Sequence, residues 1–357
     1  MFFYLVPIAF LVPAILKFFF NKEIKPIEWI LHTVVSIIIA IAIPFALVHI
    51  AGYDTQILNG YVTEKERVYN PKEESYSCNP HTVTDSKGHS STSYDTCYRT
   101  IPEWDYVVRS NVGSIKIARI DIHGKRTPER FVQVVIGEPF AKESTFLNYL
   151  KLSETTVFKE MVDENNIYND KIPEYPEVDD YYKINRVINF ENTISMNNLN
   201  NKLNEYLKEN GSTYQMNVIS IFVGEDVTED FFYALRAKWI GGKKNDIVTI
   251  VQMDNNGSVG WTKVMSRADT EVFNKSLEMD LQKEKVLSDD KYLSILDENL
   301  KTRYKRLDFE KEYSFLESDF NPSWLQIGCC ILSLIFGSIL VMLGYKMYEA
   351  RQNRFRY

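Results

Sequence analysis

Two stretches, WILHTVVSIIIAIAIPFALVHIAGY at residues 29–53 and SWLQIGCCILSLIFGSILVMLGY at residues 323–345, decide how this chain is organised. Neither contains an Asp, Glu, Lys or Arg. A helix needs about 20 apolar residues to cross a hydrocarbon core of about 30 Å, and both stretches exceed that. A third segment, MFFYLVPIAFLVPAILKFFF at residues 1–20, is interrupted by Pro7, Pro13 and Lys17, the lysine close enough to its end to snorkel toward headgroups. A cleaved signal peptide is the rival reading of residues 1–20, but there is no basic leader and no small-x-small cleavage site. The expectation is three membrane helices, at 1–20, 29–52 and 324–347, holding a block of roughly 270 residues at one membrane face.

Lys17, Lys22 and Lys25 flank the junction of the first two segments, and Lys346, Arg351, Arg354 and Arg356 follow the third. With Lys and Arg held on the cytoplasmic side, the N-terminus and residues 54–322 are extracytoplasmic and the basic tail 348–357 is cytoplasmic. Trp29 and Trp324 sit where an interfacial aromatic belt belongs. Seven of the 41 Lys and Arg and three of the 48 Asp and Glu fall outside residues 54–322, leaving that block 34 basic and 45 acidic residues, a net of −11. So acidic an exterior argues against nucleic acid and against a polybasic lipid-binding face.

Cys329 and Cys330 lie within the third apolar stretch and read as small apolar residues. Cys78 and Cys97 bracket a Ser/Thr/Gly-rich loop, and in an oxidising compartment such a pair reads as a disulfide. Zinc held by Cys78, His81, His89 and Cys97 is the alternative.

Residues 54–150 look β-rich, with four runs of period-two β-branched and aromatic residues: ILNGYVTEKERVY, CYRTIPEWDYVVRS, GSIKIARIDIHG and RFVQVVIGEPF. Residues 151–188, broken by Pro173 and Pro176, read as a connector. From 189 to 310 helices and strands alternate. Met196, Leu199, Leu203 and Leu207 form a buried helical stripe ending at Asn210-Gly211, and QMNVISIFV is a strand. DVTEDFFYALRAKWI is a helix with Asp226 as N-cap and Glu229 completing a capping box. DIVTIVQMD is a buried strand, Asn255-Asn256-Gly257 turns it into VGWTKVM, and two helices follow at about 269–285 and 289–306. The fold class expected is an α+β membrane protein with a β-rich subdomain and an α/β sandwich.

Residues 190–306, with the strand QMNVISIFV, a helix ending Lys238-Trp239-Ile240-Gly241 and the basic turn Lys243-Lys244-Asn245-Asp246, resemble the TPM domain family of membrane-tethered extracytoplasmic α/β modules. Ile247 and Val248 stand where family members carry Asn-Gly, and Trp261-Thr262-Lys263-Val264 replaces a glycine-rich stretch. The resemblance implies an anchored module; loop acids bind divalent cations in some members, and phosphatase activity is ascribed to a few. Asp226, Asp246 and Asp254 are the acids that could gather around Ca²⁺ or Mg²⁺, although each also has an ordinary role as cap, strand entry or turn residue.

The chain carries no Walker loop, HExxH, GxSxG or dinucleotide fingerprint. Of its five histidines, His123 lies in a turn and His32 within the second apolar stretch, where an ionisable group is costly. The function expected is a non-enzymatic, membrane-anchored interaction or assembly module, partnered by the bilayer, by copies of itself or by another membrane or envelope protein, without a cofactor. The alternatives are a metal-dependent hydrolase using the loop acids, and a subunit or regulator of an oligomeric channel, for which Gly328, Gly337, Ser338 and Gly344 allow close helix packing.

Overall fold

The computed structural model describes residues 5–19, 25–84, 88–153, 165–191, 196–269, 271–320 and 322–354. The start of the first segment, Lys22 of the connecting loop and Arg356 of the tail lie outside these. Helix α1 (Leu5–Phe19) has 15 described residues, which at 1.5 Å per residue is about 22 Å. Helix α2 (Pro26–Gly52) is long and apolar enough to cross a membrane, and so is the last helix, which spans Trp324–Gln352 by that criterion. Among the described residues two such helices are found, where three spans were expected. Only 22% of the most apolar window of each is buried, whereas the core helix of a soluble domain is covered on most sides.

Strand β1 (Tyr53–Tyr69) leaves α2 without a loop. Beyond it lie β2 (Lys72–Thr84), β3 (Ser90–Ile101), β4 (Trp104–Ser110), β5 (Gly113–Ile117), the helical turn α3 (Glu129–Val132), β6 (Pro139–Leu147) and α4 (Tyr149–Leu152). One sheet has the order β5-β4-β1-β6. The long β1 pairs with β6 over residues 53–61 and with β4 over 62–69, changing partner at a bulge near Val62. Tyr106, Val108, Phe131, Val134 and Phe140 fill its core.

The run RFVQVVIGEPF, expected as one strand, divides. Phe131 and Val134 are buried, three apart, while Val132, Val135 and Ile136 are each over 60% exposed. That is helical spacing, started by Pro128 at the N-cap and ended where Gly137 takes a positive φ. The strand begins only at Pro139 and runs to Leu147 as the edge of the sheet, beside β1.

After short strands β7 (Val178–Asp179) and β8 (Lys183–Ile184) come β9 (Val187–Phe190), α5 (Asn197–Tyr214), β10 (Asn217–Val223), α6 (Asp230–Lys238), β11 (Asp246–Met253), β12 (Val259–Ser266), α7 (Glu271–Gln282) and α8 (Asp289–Arg303). The second sheet runs β12-β11-β10-β9, with β9, β10 and β11 parallel and β12 antiparallel. Every residue of β10 is buried, as a strand covered on both faces requires. Leu199, Leu203, Leu207, Phe273, Leu277 and Leu296 pack on one face; Phe231, Leu235, Trp239 and Tyr168 pack on the other.

Helix α5 runs through Gly211 rather than stopping there. A Cβ on Gly211 would lie 2.6 Å from Asn59 Cβ, so the glycine allows α5 to press on β1. The helix ends one turn later, at Gln215 with φ +49°. A short helix α9 (Phe309–Tyr313) and a 3-10 turn (Ser314–Asp319) lead into α10 (Trp324–Arg354). Val48, Leu152 and Phe320 join head to anchor. Gly337 of α10 lies against α2, where a Cβ would come within 2.3 Å of Ile39 Cδ1, whereas Gly344 has open space around it.

Candidate functional site

The sheet separates Asp246 from the other two aspartates expected to share a cation: β10 and β11 are parallel, so Asp226 and Asp254 both follow C-terminal strand ends, where Gln252 and Asn255 donate to Glu225. Asp246 opens β11, paired with Asn217 at the start of β10, and Asp254 follows the other end of the same strand. Eight strand residues span about 26 Å. Asp226 is exposed in the turn after β10; it does not cap α6, which begins at Asp230 behind Glu229. Asp254 Oδ1 accepts from the backbone N–H groups of Asn256 and Ser258, both at 2.8 Å, and these bonds hold its carboxyl below the usual carboxylate range. Among the described residues, no group of three or more His, Cys, Asp or Glu is placed to hold a metal ion.

Asp246 instead sits in a buried seam between the two sheets. Its carboxylate accepts from Tyr175 Oη at 2.9 Å, Asn217 Nδ2 at 3.0 Å and Lys243 N at 2.7 Å. Burial pushes its pKa up, and those hydrogen bonds pull back against the shift. Burial and the adjacent carboxylate keep the Tyr175 phenol protonated.

On the other side of Asn217 lies Arg186, only 1% exposed. Its guanidinium donates to three amide oxygens, those of Asn204 at 2.7 Å, Asn217 and Asn59, and its backbone N–H donates to Asn200 Oδ1 at 2.7 Å. Asn217 thus turns its oxygen toward the cation and its NH₂ toward Asp246, a neutral bridge between buried charges. Burial lowers the Arg186 pKa to about 9, with Tyr175 and Asp246 opposing the fall.

Strand β1 is gripped at three further points. Asn59 Nδ2 donates to Met216 O at 3.0 Å, Asn245 Nδ2 donates to Ile57 O at 2.7 Å, and Lys243 Nζ pairs with Asp54. Burial raises the Asp54 pKa, but hydrogen bonds from Lys243 and Asn148 outweigh it and leave the carboxyl below its ordinary value. Beside the seam, Asn200, Asn201, Asn204, Lys183 and Glu138 line a polar cleft of about 470 Å³.

Opposite in character is the ribbon made by β2 and β3. It forms its own two-stranded sheet, and no residue of either strand is buried. At about 3.3 Å per residue, thirteen residues reach about 40 Å. Cys78 and Cys97 are bonded across it, with Cα atoms 5.8 Å apart, so both sulfurs are committed and the zinc alternative loses two of its four ligands. Arg99 pairs with Glu74, and Tyr76, Tyr94 and Tyr98 are 45%, 57% and 67% exposed. An isolated two-stranded ribbon is at best marginally stable in water, and the cross-link compensates for its missing core.

His123 lies 3.4 Å from Glu103, which also holds Arg119 at 2.6 Å; this is a turn-stabilising cluster with no nucleophile in it. The sequence reading singled out Asp246 but missed its partners. The available signals were Asn217 opening a run of apolar residues and Asn200 and Asn204 one turn apart beside the leucine stripe of α5. No protein-family model, curated protein or solved structure matches the chain.

Proposed function

We propose that this protein is a membrane-anchored interaction module: α2 and α10 cross a bilayer, the head stands on the extracytoplasmic side, and the ribbon is the arm that meets another protein. The observation that carries this reading is the ribbon itself, about 40 Å of disulfide-stapled strand with exposed tyrosines and no buried residue. Tyrosine is enriched at protein interfaces because it buries a large rigid surface while keeping a hydrogen-bonding tip. The exposed apolar belt of α2 and α10, including Ile38, Ile41, Phe45, Leu332, Phe336 and Leu340, supports the bilayer as the other partner. Flanking Lys and Arg support the orientation. Residues 190–306 contribute a TPM-like module in this reading, supported by the order of β10, α6, β11 and β12. The loop-acid hydrolase has less support, since Asp246 stands at the opposite end of the sheet from Asp226 and Asp254.

Photo-crosslinking in native membranes tests the proposal. A photoreactive residue at Tyr94 or Tyr98 is expected to give a discrete adduct, while one at Met279, exposed on α7, gives none. Equal labelling at all three positions, or metal-dependent turnover of a phosphate ester that Asp246→Asn abolishes, would overturn it.

A further inference from the structure

The inward face of α2 carries Glu28, His32, Ser36, Ala40, Pro44, Val48 and Gly52, one residue per turn. The first three are polar, and Glu28 and His32 are each 1% exposed and Ser36 is fully buried. Ser36 Oγ meets Ser338 Oγ of α10 at 3.4 Å. Glu28 Oε1 and His32 Nε2 stand 3.7 Å apart, beyond hydrogen-bonding distance. Among the described residues, Glu28 Oε1 and both His32 ring nitrogens have no hydrogen-bond partner. Farther along the bundle, Pro13 and Pro44 lack an N–H, so the carbonyls of Ala9 and Ala40 lose their usual donor; both alanines are buried in one cluster. A polar file therefore enters the bundle at the end away from the head and runs about 12 Å from Glu28 to Ser36.

Orphaned polar atoms in a membrane interior are costly, and ionisable groups there mark sites of function. Two donors from one helix face are too few for a divalent metal, which takes four or more ligands. A proton needs one. Among the described residues the charged groups at this end are few: Lys25 is paired with Glu349 of α10 and also lies near enough to Glu28 to interact with its charge, Tyr345 lies near that pair, Lys346, Tyr348 and Arg351 follow on α10, and α1 offers Lys17.

We propose that Glu28 and His32 form a proton-binding site inside the bundle, through which the pH at the membrane face opposite the head sets how tightly α2 packs on α1 and α10. With one shared proton the pair is net neutral, whether as carboxylate and imidazolium or as carboxylic acid and imidazole. A second proton leaves the pair with a net positive charge, and loss of the first leaves a net negative one; either buries an uncompensated charge. Packing is then tightest at intermediate pH and loosens on both sides. The proposal rests on α2 lying in a membrane, a premise tested separately by thiol labelling of the head and of the end of α10 from outside the membrane.

The test uses the full chain in lipid nanodiscs. A pH-difference infrared spectrum is expected to show a protonated-carboxyl band that is lost in Glu28→Gln and shifted in His32→Gln. Hydrogen exchange in the first two turns of α2 is expected to be slowest at intermediate pH, with that minimum flattened in the double Gln variant, which keeps size and polarity. An unchanged band in Glu28→Gln, the same exchange profile in the double variant, or stoichiometric zinc binding lost on either substitution would overturn the proposal.

Discussion

Replacing Arg186 with Met should loosen the head at the seam between its two sheets. The guanidinium is the donor to Asn59 Oδ1 and Asn204 Oδ1, and it shares Asn217 Oδ1 with Asn59 Nδ2 at 3.2 Å. Its loss orphans the buried Asn59 Oδ1, at about 1–3 kcal/mol, and the half-buried Asn204 Oδ1, which costs less because it lines the cleft. It also removes the cation that offsets Asp246 across Asn217, so part of the cost of an unpaired buried charge, about 3–5 kcal/mol, is added. Methionine fills most of the volume and limits any cavity term. A loss of about 4–6 kcal/mol is expected, a large share of the roughly 5–15 kcal/mol that holds a domain. Hydrogen exchange of the full chain should show β10 and the 54–59 part of β1 opening together. Arg186→Lys should restore little, because an ammonium cannot span three acceptors held by a planar fork. Lys208→Met, which removes a surface pair with Glu205 at 2.8 Å, should cost under about 1 kcal/mol. An Arg186→Met variant as stable as Lys208→Met would refute the reasoning.

Reducing the disulfide, or the Cys78→Ser/Cys97→Ser double change, should cost the ribbon about 3 kcal/mol of local stability by freeing a 19-residue separation; limited proteolysis should then cut the ribbon while protection at β10 stays unchanged, because no ribbon residue is buried. Asp54 has a depressed pKa in the folded chain, so its contribution is present above the unfolded value near 3.9 and is lost as pH falls through the lower folded value. Acid titration of Asp54→Asn should lack that final step of destabilisation, and an identical acid limb in both proteins would count against the Lys243 pairing. Gly337→Leu should force α10 away from Ile39 of α2 and lower the thermal midpoint of the full chain, whereas Gly344→Leu should leave it unchanged.

Two long apolar helices, the disulfide and most of the α/β elements were legible because each follows from a local pattern: an uncharged run, a cysteine pair around a polar loop, leucines four apart, an Asn-Asn-Gly turn. The run at 130–140 misled because valines and isoleucines favour strands locally, while Pro128 and burial at i and i+3 imposed a turn. Asp226 looked like a cap since its spacing to Glu229 fits a capping box, yet the chain needs a turn there before α6 can start. Least legible was the seam, since Asn59, Arg186 and Asn217 are far apart in sequence and only the packing of α5 against β1 brings them together. Asp246 opens β11, as a strand-entry residue should, but its partners Tyr175 and Asn217 were equally out of local view.

The account depends most on the head and the basic tail lying on opposite sides of a bilayer. Labelling intact cells with a membrane-impermeant thiol reagent, using Ser91→Cys on the ribbon and Arg351→Cys at the end of α10 in a Cys329→Ala/Cys330→Ala background, tests this directly. Position 91 should label at once and position 351 only after the membrane is opened. Equal labelling of both without permeabilisation would contradict it.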